Sequence, residues 1–538
     1  MRIIESYKVI KIISNLTKTN NMTFAGKVAI ASGIVFVVVV IFGFIMFPKM
    51  VKSKVKQQVA LKPGSEIRKM YMKTPFALDF KVYMFNITNA EAVLNGESPV
   101  LDEIGPYCYD LWKEKVDPID NEVNDTLTYK GKMTWIFNKA KSAPLTGDEM
   151  VTIPHPLILG IAVAVARDKP AMLSLVSKAL NSIFNNPPSP FITATTNEIL
   201  FEGLTVYCNV TDFAGKAACA QIKSEAKNVI YISDKIFKLS FFGDKNGTVD
   251  ERPFTVKRGL KNYKDIGRVV EFDNKPNMNV WPTKECNEYH GTDSTIFPPL
   301  LQKEEGIVAF SPDICRSLAA VFEKETFVKE VKVNKYTATL GDMSADDSLK
   351  CYCPEPNKCL KKGLMEITKC VGAPLYASLP HFYASDESYV HGVRGLHPNE
   401  EEHGIYMYFE PMTGTPLGAR KRLQFSMPLE PIPKISFMKN LPTTILPVFW
   451  VEEGADLGDE YVDQIKSAFK MIQIVFTAKW ILFVVSAVTG AIAGLMHFKN
   501  SKNILVTPVK NDESKGRSSV INTIDSLNTY VNGSNNKY

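Results

Sequence analysis

The sequence predicts an α+β protein in which a mostly antiparallel sheet or barrel lies between two transmembrane helices. Two long apolar blocks near the ends of the chain, each without a charged residue, predict the helices. Between them, segments of alternating apolar and polar residues predict strands, with Pro, Asn-Gly and Gly-Asp at the turns. Strands and helices do not alternate at βαβ spacing, which favours antiparallel pairing.

The first apolar block runs from Val28 to Phe47 and contains 20 residues. At about 1.5 Å per residue, a helix of this length spans roughly the 30 Å of a bilayer core. A cleaved signal peptide is the alternative, but its apolar region has about 7–15 residues and is followed by small residues. Phe47-Pro48-Lys49 offers no such cleavage site. The block is therefore interpreted as an uncleaved membrane helix.

The second block runs from Trp480 to Met496, and Met471–Ala478 can extend it. Trp480 is typical of a membrane interface, whereas Lys479 must either snorkel or face a partner. A buried helix of a soluble domain is the alternative. Two spans place both ends of the chain on one side. The predicted organisation is a tail at 1–27, a helix at 28–47, an ectodomain at 48–479, a helix at 480–496 and a tail at 497–538.

The basic residues outside the two blocks bear on orientation but do not decide it. The net charge of +6 is modest, and scattered lysines give no nucleic-acid signature. Both tails carry basic residues, which favours a cytoplasmic location for each of them. These residues are Arg2, Lys8, Lys11, Lys18, Lys27, Lys499, Lys502, Lys510, Lys515 and Arg517. Lys49, Lys52, Lys54 and Lys56, however, follow the first helix on what would be the outer side.

The cysteines indicate an oxidising compartment between the spans. All nine lie there: Cys108, Cys208, Cys219, Cys286, Cys315, Cys351, Cys353, Cys359 and Cys370. Six are concentrated between Cys286 and Cys370, as in a disulfide framework. A zinc site on Cys351, Cys353, Cys359 and Cys370 is the alternative, but the spacing lacks the paired C-x2-C elements of structural zinc. A disulfide-bonded ectodomain is therefore predicted.

Four glycosylation sequons lie between the spans, at Asn86, Asn124, Asn209 and Asn246. The pattern also occurs in the tails, at Asn15, Asn21 and Asn532, so the sequons alone are weak evidence of topology. Together with the cysteines they place the middle of the chain outside the cell.

One helical region interrupts the predicted strands. The strand segments are Lys81–Ile87, Thr128–Phe137, Val229–Leu239, Ile405–Phe409 and Arg422–Met427. Leu157–Ala166 and Ala171–Phe184 read as helices, and Thr195–Leu204 is a candidate third helix. The first is a ten-residue apolar run, too short to span a bilayer. It is interpreted as a core helix, the alternative being a protruding tip with an exposed apolar patch.

A series of short motifs runs in order through the chain. They are Glu103-Ile-Gly-Pro-Tyr107, His290-Gly-Thr-Asp293, Phe297-Pro-Pro299, Ser311-Pro-Asp-Ile-Cys-Arg-Ser317, Ser378-Leu-Pro-His-Phe382, Leu396-His-Pro-Asn-Glu-Glu-Glu-His403, Glu410-Pro-Met-Thr-Gly414, Arg422-Leu-Gln424 and Gly458-Asp-Glu460. The ordered set resembles the class B scavenger receptors, which include the platelet fatty-acid translocase and the lysosomal integral membrane protein. With both membrane helices, the resemblance covers Met22 to Lys499. Lys62-Pro-Gly-Ser65 and Pro75-Phe-Ala-Leu-Asp-Phe80 are most similar to the insect sensory neuron membrane proteins, in particular their first group.

The resemblance implies an antiparallel β-barrel-like ectodomain with a helical-bundle apex and an internal hydrophobic tunnel toward the membrane. Leu157 to Leu204 would be the apex and the ligand-binding segment. The implied disulfides are Cys286–Cys351, Cys315–Cys370 and Cys353–Cys359. Cys208 and Cys219 lie outside that set, and their separation permits a local fourth bridge, which leaves Cys108 unpaired.

Two departures from the family pattern restrict the ligand. Scavenging members carry apex lysines that attract anionic ligands, whereas the corresponding Asn185–Pro190 has no charge. Binding of oxidised lipoprotein or a fatty-acid carboxylate at that point is therefore not expected. The tails also lack the juxtamembrane cysteines that some members palmitoylate.

The resemblance further implies a non-enzymatic lipid conduit in the dendritic membrane of olfactory sensory neurons. Its ligands would be lipophilic odorants, namely long-chain aldehydes, acetates, alcohols or fatty acids, passed through the tunnel to an odorant receptor complex. A general receptor for lipid or lipoprotein uptake is the alternative. A trafficking receptor is a third reading, weakened because the C-terminal tail lacks an acidic di-leucine signal.

No catalytic motif or cofactor site is predicted. The chain has no G-x-S-x-G elbow, no H-E-x-x-H and no phosphate-binding glycine loop. Glu400–Glu402 beside His397 and His403 is interpreted as a solvated loop or a structural hydrogen-bond cluster, with a metal site as the alternative. Gly490 and Gly494, four residues apart in the second span, permit close helix packing.

Overall fold

A computed structural model describes residues 23–225, 229–355 and 358–504. The predicted tails at 1–27 and 497–538 lie outside these ranges except for residues 23–27 and 497–504. The chain divides into two compact units: a central unit, Lys49–Ile472, and a terminal unit made of the segments up to Pro48 and from Gln473.

The strands of the described chain all pair antiparallel with their sheet neighbours. They are β1 Leu78–Ile87, β2 Leu101–Asn121, β3 Thr126–Phe137, β4 Met150–Pro154, β5 Phe191–Thr195, β6 Leu204–Tyr207, β7 Val229–Ser233, β8 Ile236–Leu239, β9 Phe254–Lys257, β10 Val269–Phe272, β11 Ile307–Ser311, β12 Arg316–Val328, β13 Val331–Ala338, β14 Met365–Glu366, β15 Tyr376–Ser378, β16 Ile405–Glu410, β17 Thr415–Leu429 and β18 Thr444–Asp456.

Two long helices lie at the ends of the described chain, and the other helices are shorter. All twelve helices within the described residues are numbered in chain order. They are α1 Phe24–Val59, α2 Glu66–Met72, α3 Ala90–Leu94, α4 Lys139–Ser142, α5 Pro156–Asp168, α6 Leu173–Ile183, α7 Phe213–Glu225, α8 Lys284–Asn287, α9 Thr368–Val371, α10 Glu387–His391, α11 Glu400–His403 and α12 Asp459–Ile504. Short 3₁₀ turns occur at Pro170–Met172, Tyr263–Asp265, Lys303–Glu305, Asp347–Tyr352, Pro380–Phe382 and Ser436–Met438.

One large sheet forms a nearly closed barrel. Its strand order is β10-β9-β3-β2-β1-β18-β17-β16-β13-β12-β11, with β15 and then β14 branching from β17. The edge strands β10 and β11 approach each other through one segment, because Val269 N donates to Gly291 O at 3.0 Å and Phe310 N donates to Thr292 O at 2.8 Å. Closure satisfies the edges that an open sheet would expose. The predicted barrel-like α+β architecture is confirmed.

A buried ion pair lies beside this closure. Asp293 accepts hydrogen bonds from the Tyr71 hydroxyl at 2.6 Å and the Tyr129 hydroxyl at 2.5 Å, and Lys115 Nζ lies 3.2 Å from its carboxylate. Burial alone would raise the pKa of Asp293, but Lys115 and the hydroxyls hold it below its usual value. Burial lowers the pKa of Lys115 to about 8. The motif residue Asp293 thus joins α2, β2 and β3.

Four of the five predicted strand segments fall inside strands, and the fifth forms a hairpin. Four lie inside single strands: Lys81–Ile87 in β1, Thr128–Phe137 in β3, Ile405–Phe409 in β16 and Arg422–Met427 in β17. Val229–Leu239 forms the hairpin β7–β8 rather than one strand.

The helical region differs from its prediction at one end. Leu157–Ala166 lies in α5, and Ala171–Phe184 covers the turn Pro170–Met172 and α6. The candidate third helix, Thr195–Leu204, is present as a shorter helical segment: residues 196–202 are helical, with a π-helical turn at Glu198–Glu202, between the end of β5 at Thr195 and the start of β6 at Leu204. The third long helix of the bundle is α7, which follows β6. The region predicted to end at Leu204 therefore continues to Glu225.

The terminal unit contains two helical segments that are long and apolar enough to cross a membrane, in α1 and α12. Both helices extend beyond the predicted limits of 28–47 and 480–496. Phe36 packs on Phe483 at 4.8 Å between ring centroids. Gly490 contributes to the same packing, because a Cβ atom built at this glycine would lie 3.4 Å from Ser32 Cβ. A Cβ atom built at Gly494 would have no atom within 4 Å, so Gly494 does not contribute.

Lys479 faces a partner helix within this unit. Its ammonium lies 3.8 Å from the Phe476 ring centroid and 4.6 Å from that of Phe44. Gly43 gives it room, because a Cβ there would lie only 3.1 Å from Lys479 Cβ. Cation–π contact offsets part of the cost of a buried lysine.

Candidate functional site

The apolar run of helix α5 packs on the core with one face and lines a cavity with the other. Pro156 occupies its first turn, and His155 caps it by accepting the Ile158 N–H on Nδ1 at 3.5 Å. One face, including Ile158, Leu159, Ala162 and Val163, is buried in the core of the central unit. The other face, including Leu157, Gly160, Ile161 and Ala164, lines a cavity. The core interpretation of this run therefore holds for one face only.

The helices α6 and α7 complete the walls of this cavity. On α7 the lining residues Ala214, Ala217, Ala218, Gln221 and Ile222 recur at helical spacing, and the alanines leave space where larger side chains would fill it. The two helices are tied together by the Ser182 hydroxyl, which donates to the Asp212 carboxylate. Cys208 and Cys219 fix α7 to the end of β6 through a disulfide.

The cavity has a volume of about 500 Å³. Its lining is apolar or glycine except for Asp168, Lys169, Gln221 and Ser240. Its remaining members are Pro156, Val165, Met172, Leu175, Val176, Ala179, Ile199, Leu204, Leu239, Phe241, Val371, Gly372, Ala373, Pro374, Leu375 and Met427, besides those already named on α5 and α7.

The size and lining of the cavity suit a long alkyl chain. Small-molecule sites in proteins typically enclose about 300–1,000 Å³. Each CH₂ group moved from water to such a lining contributes about 0.8 kcal/mol. The cavity can therefore bind a lipid chain through burial alone, without a charged partner.

The helical bundle formed by α5, α6 and α7 does carry charged residues, however. The predicted uncharged segment Asn185–Pro190 follows α6, but Lys169, Lys178 and Lys216 on or beside the three helices are exposed. The expectation of an uncharged apex therefore holds for that segment and not for the bundle as a whole.

An aromatic cluster lies next to the cavity inside the central unit. We use this name for Phe80, Tyr109, Trp135, Phe137, Phe201, Phe241, Phe242 and Phe449, whose rings contact one another with centroids 4.6–6.3 Å apart. Phe241 belongs to both the cluster and the cavity lining. These residues were missed in the sequence because strand register and the turns that carry Phe201, Phe241 and Phe242 bring their rings together only in the fold.

The eight bonded cysteines join in four pairs within the central unit. Cα–Cα distances are 5.8 Å for Cys208–Cys219, 6.1 Å for Cys286–Cys351, 5.8 Å for Cys315–Cys370 and 4.6 Å for Cys353–Cys359. Cys108 is free and buried. Burial raises the pKa of its thiol, which keeps it protonated and unreactive.

The four sequon asparagines have different surroundings. Asn86 is half-buried in β1 and accepts the Thr152 N–H at 2.8 Å. The Asn246 amide binds the backbone of Trp135 at both ends, accepting its N–H at 2.9 Å and donating to its carbonyl at 3.3 Å. Asn124 and Asn209 are exposed.

We expect Asn124 and Asn209 to carry glycans and Asn246 to carry none. A glycan replaces one hydrogen of Nδ2, and at Asn246 the amide is half-buried and held at both ends by the Trp135 backbone, whereas Asn124 and Asn209 are exposed. Gel mobility before and after enzymatic deglycosylation would be compared for single Asn→Gln variants. Loss of one glycan in Asn124→Gln and in Asn209→Gln is the expected result. An equal mobility shift in Asn246→Gln would contradict the assignment.

The acidic run near His403 forms a structural cluster. Asn399 caps α11 by accepting the N–H groups of Glu401 and Glu402 at 2.8 and 3.2 Å. His403 Nδ1 accepts the Asn399 N–H at 2.9 Å, and its ring stacks on His381 at 4.3 Å. In the described ranges no group of three or more His, Cys, Asp or Glu residues could hold a metal ion.

Comparison with known proteins identifies relatives over most of the chain. A family model described as the CD36 family matches residues 30–497. The chain is 47% identical over 494 residues to sensory neuron membrane protein 1 of Apis mellifera, covering 91% of this chain and 95% of that protein. It is 44% identical to the protein of the same name from Manduca sexta, covering 88% and 91%, and 42% identical to that from Bombyx mori, covering 91% and 94%.

Proposed function

The chain belongs to the CD36 family, and from this premise we propose that it is a non-enzymatic lipid receptor of chemosensory neurons. It binds lipophilic pheromone-type odorants, namely long-chain aldehydes, acetates, alcohols or fatty acids, and delivers them to an odorant receptor complex. The observation that carries the proposal is the apolar cavity of about 500 Å³ in the helical bundle. The names of the relatives, sensory neuron membrane protein 1, support the sensory setting.

In this proposal residues 48–479 lie outside the cell and both termini lie in the cytoplasm. The disulfides support an oxidising environment for the central unit, and exposed sequons at Asn124 and Asn209 support its passage through the secretory pathway. The cell membrane in question is the dendritic membrane of olfactory sensory neurons.

The proposed mechanism is passage through an apolar interior. The ligand enters the cavity, crosses the aromatic cluster and follows a hydrophobic tunnel to the outer leaflet, where the receptor complex takes it up. Leaving an apolar site for water costs a long chain about 0.8 kcal/mol per CH₂. A continuous apolar path removes most of that barrier, so transfer requires neither a cofactor nor a covalent step.

A cavity-filling substitution tests this function. Ala218 lines the cavity on α7, whereas Ala220 on the same helix is exposed, so Ala218→Trp and Ala220→Trp form a matched pair. Currents would be recorded from cells that express a pheromone-type receptor with no partner, with this chain or with either variant. We expect the wild-type chain and Ala220→Trp to increase the response to a long-chain acetate, and Ala218→Trp to lose most of that increase.

A short, water-soluble odorant is the control, and its response is expected to be the same in all four cell lines. Equal long-chain responses with and without the chain would contradict delivery. General lipid uptake would then be the better function, and the exposed Lys169, Lys178 and Lys216 favour it as the alternative, because cationic surfaces attract anionic lipid particles.

A further inference from the structure

Two hydrogen-bond donors inside the aromatic cluster have no partner. Tyr109 is 3% exposed and Trp135 is 7% exposed. The Tyr109 hydroxyl and the Trp135 Nε1 are both fully shielded and make no hydrogen bond to any described residue. A buried donor left unpaired typically costs about 1–3 kcal/mol, so most buried donors in proteins are paired.

Strand register places these two donors on one face of the barrel. In the pairing of β2 with β3, Tyr109 is opposite Phe137 and Leu111 is opposite Trp135. Positions two residues apart share a face, and both rings contact the same side chain. Phe201 lies 4.7 Å from Tyr109 and 6.3 Å from Trp135 between ring centroids.

One short segment, Phe241–Phe242, separates this region from the cavity. Phe241 lines the cavity, and the ring of the next residue, Phe242, lies 5.7 Å from that of Trp135. Their turn is fixed by backbone hydrogen bonds from Phe241 to Ile199 at 3.2 Å and from Phe242 to Leu200 at 2.8 Å. One short segment therefore contacts the cavity on one side and the unpaired donors on the other.

We propose that Tyr109 and Trp135 form a recognition site for the uncharged oxygen-containing head group of a long-chain ligand whose alkyl chain lies in the cavity. This inference rests on the proposed function and adds the substrate class. The oxygen of an aldehyde, ester or alcohol accepts a hydrogen bond from either donor. Binding then satisfies groups that the protein alone leaves unpaired.

The surroundings select against a charged head group. The rings that contact Tyr109 and Trp135 belong to phenylalanines, namely Phe80, Phe137, Phe201 and Phe242. A carboxylate without a cation is far more costly to bury than a neutral carbonyl. Of the four chemical classes in the proposed function, fatty acids are therefore bound most weakly.

Competitive binding to the purified full-length chain in detergent tests the site. The probes are tetradecyl acetate, tetradecane and tetradecanoate, each corrected for its partition into protein-free micelles. Removal of one neutral hydrogen bond by Tyr109→Phe or Trp135→Phe is expected to weaken tetradecyl acetate binding by about 2- to 10-fold. Tetradecane binding should change by less than about twofold, because the alkyl chain makes no hydrogen bond.

Tyr207→Phe removes an exposed hydroxyl elsewhere and is the matched control, with no change expected. Because the Tyr109 hydroxyl has no partner in the protein, the melting temperature of Tyr109→Phe should not fall, which separates recognition from a structural role. Equal affinities of the wild type for the acetate and the alkane, or for the acetate and tetradecanoate, would overturn this inference and leave the lipid function standing. If no probe binds the wild type, the proposed function itself fails.

Discussion

Replacing Arg422 with methionine is expected to lower the free energy of unfolding by about 3–5 kcal/mol, as is typical when one member of a buried ion pair is removed. Arg422 on β17 donates to Glu452 on β18, with Nε at 2.7 Å and the second guanidinium nitrogen at 2.6 Å from the carboxylate. The Arg422 and Glu452 side chains are only 7% and 5% exposed. The variant leaves Glu452 buried with Lys81 at 2.8 Å and Arg420 at 3.7 Å as its remaining cationic partners.

Arg422 also satisfies two backbone carbonyls, those of Glu401 and Gly404, at 2.9 and 2.7 Å. Its loss therefore affects the loop that ends α11 as well as the sheet. We expect Arg422→Met to melt at a markedly lower temperature in detergent and to reach the cell surface poorly, measured by surface labelling.

The matched control is Arg420→Met on the same strand. Arg420 pairs mainly with Asp456, whose side chain is 55% exposed, and such pairs contribute about 0–1 kcal/mol. A small effect is therefore expected for Arg420→Met. Comparable melting temperatures for the two variants would show that burial of the Arg422 pair is not what stabilises the sheet.

The strands were predictable because their pattern is local. In β1 alternate residues are buried, and the repeat of two is visible in the sequence. The sheet order is not local: β1 lies between β2 and β18, so Tyr83 pairs with Trp450 far along the chain. Residue spacing in the sequence does not predict such long-range pairing. The barrel was predicted from the family resemblance instead.

The bundle shows where local pattern fails. Thr195–Leu204 was predicted as a helix, but only residues 196–202 are helical, because β5 ends at Thr195 and β6 begins at Leu204. The alanine-rich α7 was missed because small residues give a weak periodic signal, although Ala214, Ala218 and Ile222 recur every four residues.

The candidate site shows the same division. The apolar run of α5 was identified, but the cavity on its second face depends on α6 and α7. The sequence motifs identified Glu103 and His381, but not the contact between them. In the fold their side chains lie 2.6 Å apart, and the Trp450 indole donates to the same Glu103 carboxylate at 2.6 Å. A motif marks a residue, whereas its partner is known only from the tertiary structure.

Acidification from pH 7 to pH 5 is expected to destabilise the protein by about 2 kcal/mol for each of two buried histidines. Burial lowers the pKa of His155 and of His403 to about 4, from an ordinary value of 6.5. Each is therefore protonated more readily in the unfolded chain than in the folded one. The contribution of these histidines to the free energy of unfolding therefore has its full value above pH 6.5 and decreases as the pH falls toward 4.

The buried carboxylates of Asp293 and Glu452 titrate below this window, because their partners hold the pKa of each under its ordinary value. Protonated His155 would also lose the acceptor that caps α5 and place a positive charge at the positive end of the helix dipole. His155→Asn retains a capping side chain without a titrating ring. Its melting temperature, followed in detergent from pH 7 to pH 5, should therefore fall by less than that of the wild type. Identical pH profiles for the two proteins would assign the acid sensitivity to other groups and exclude the cap of α5 as its cause.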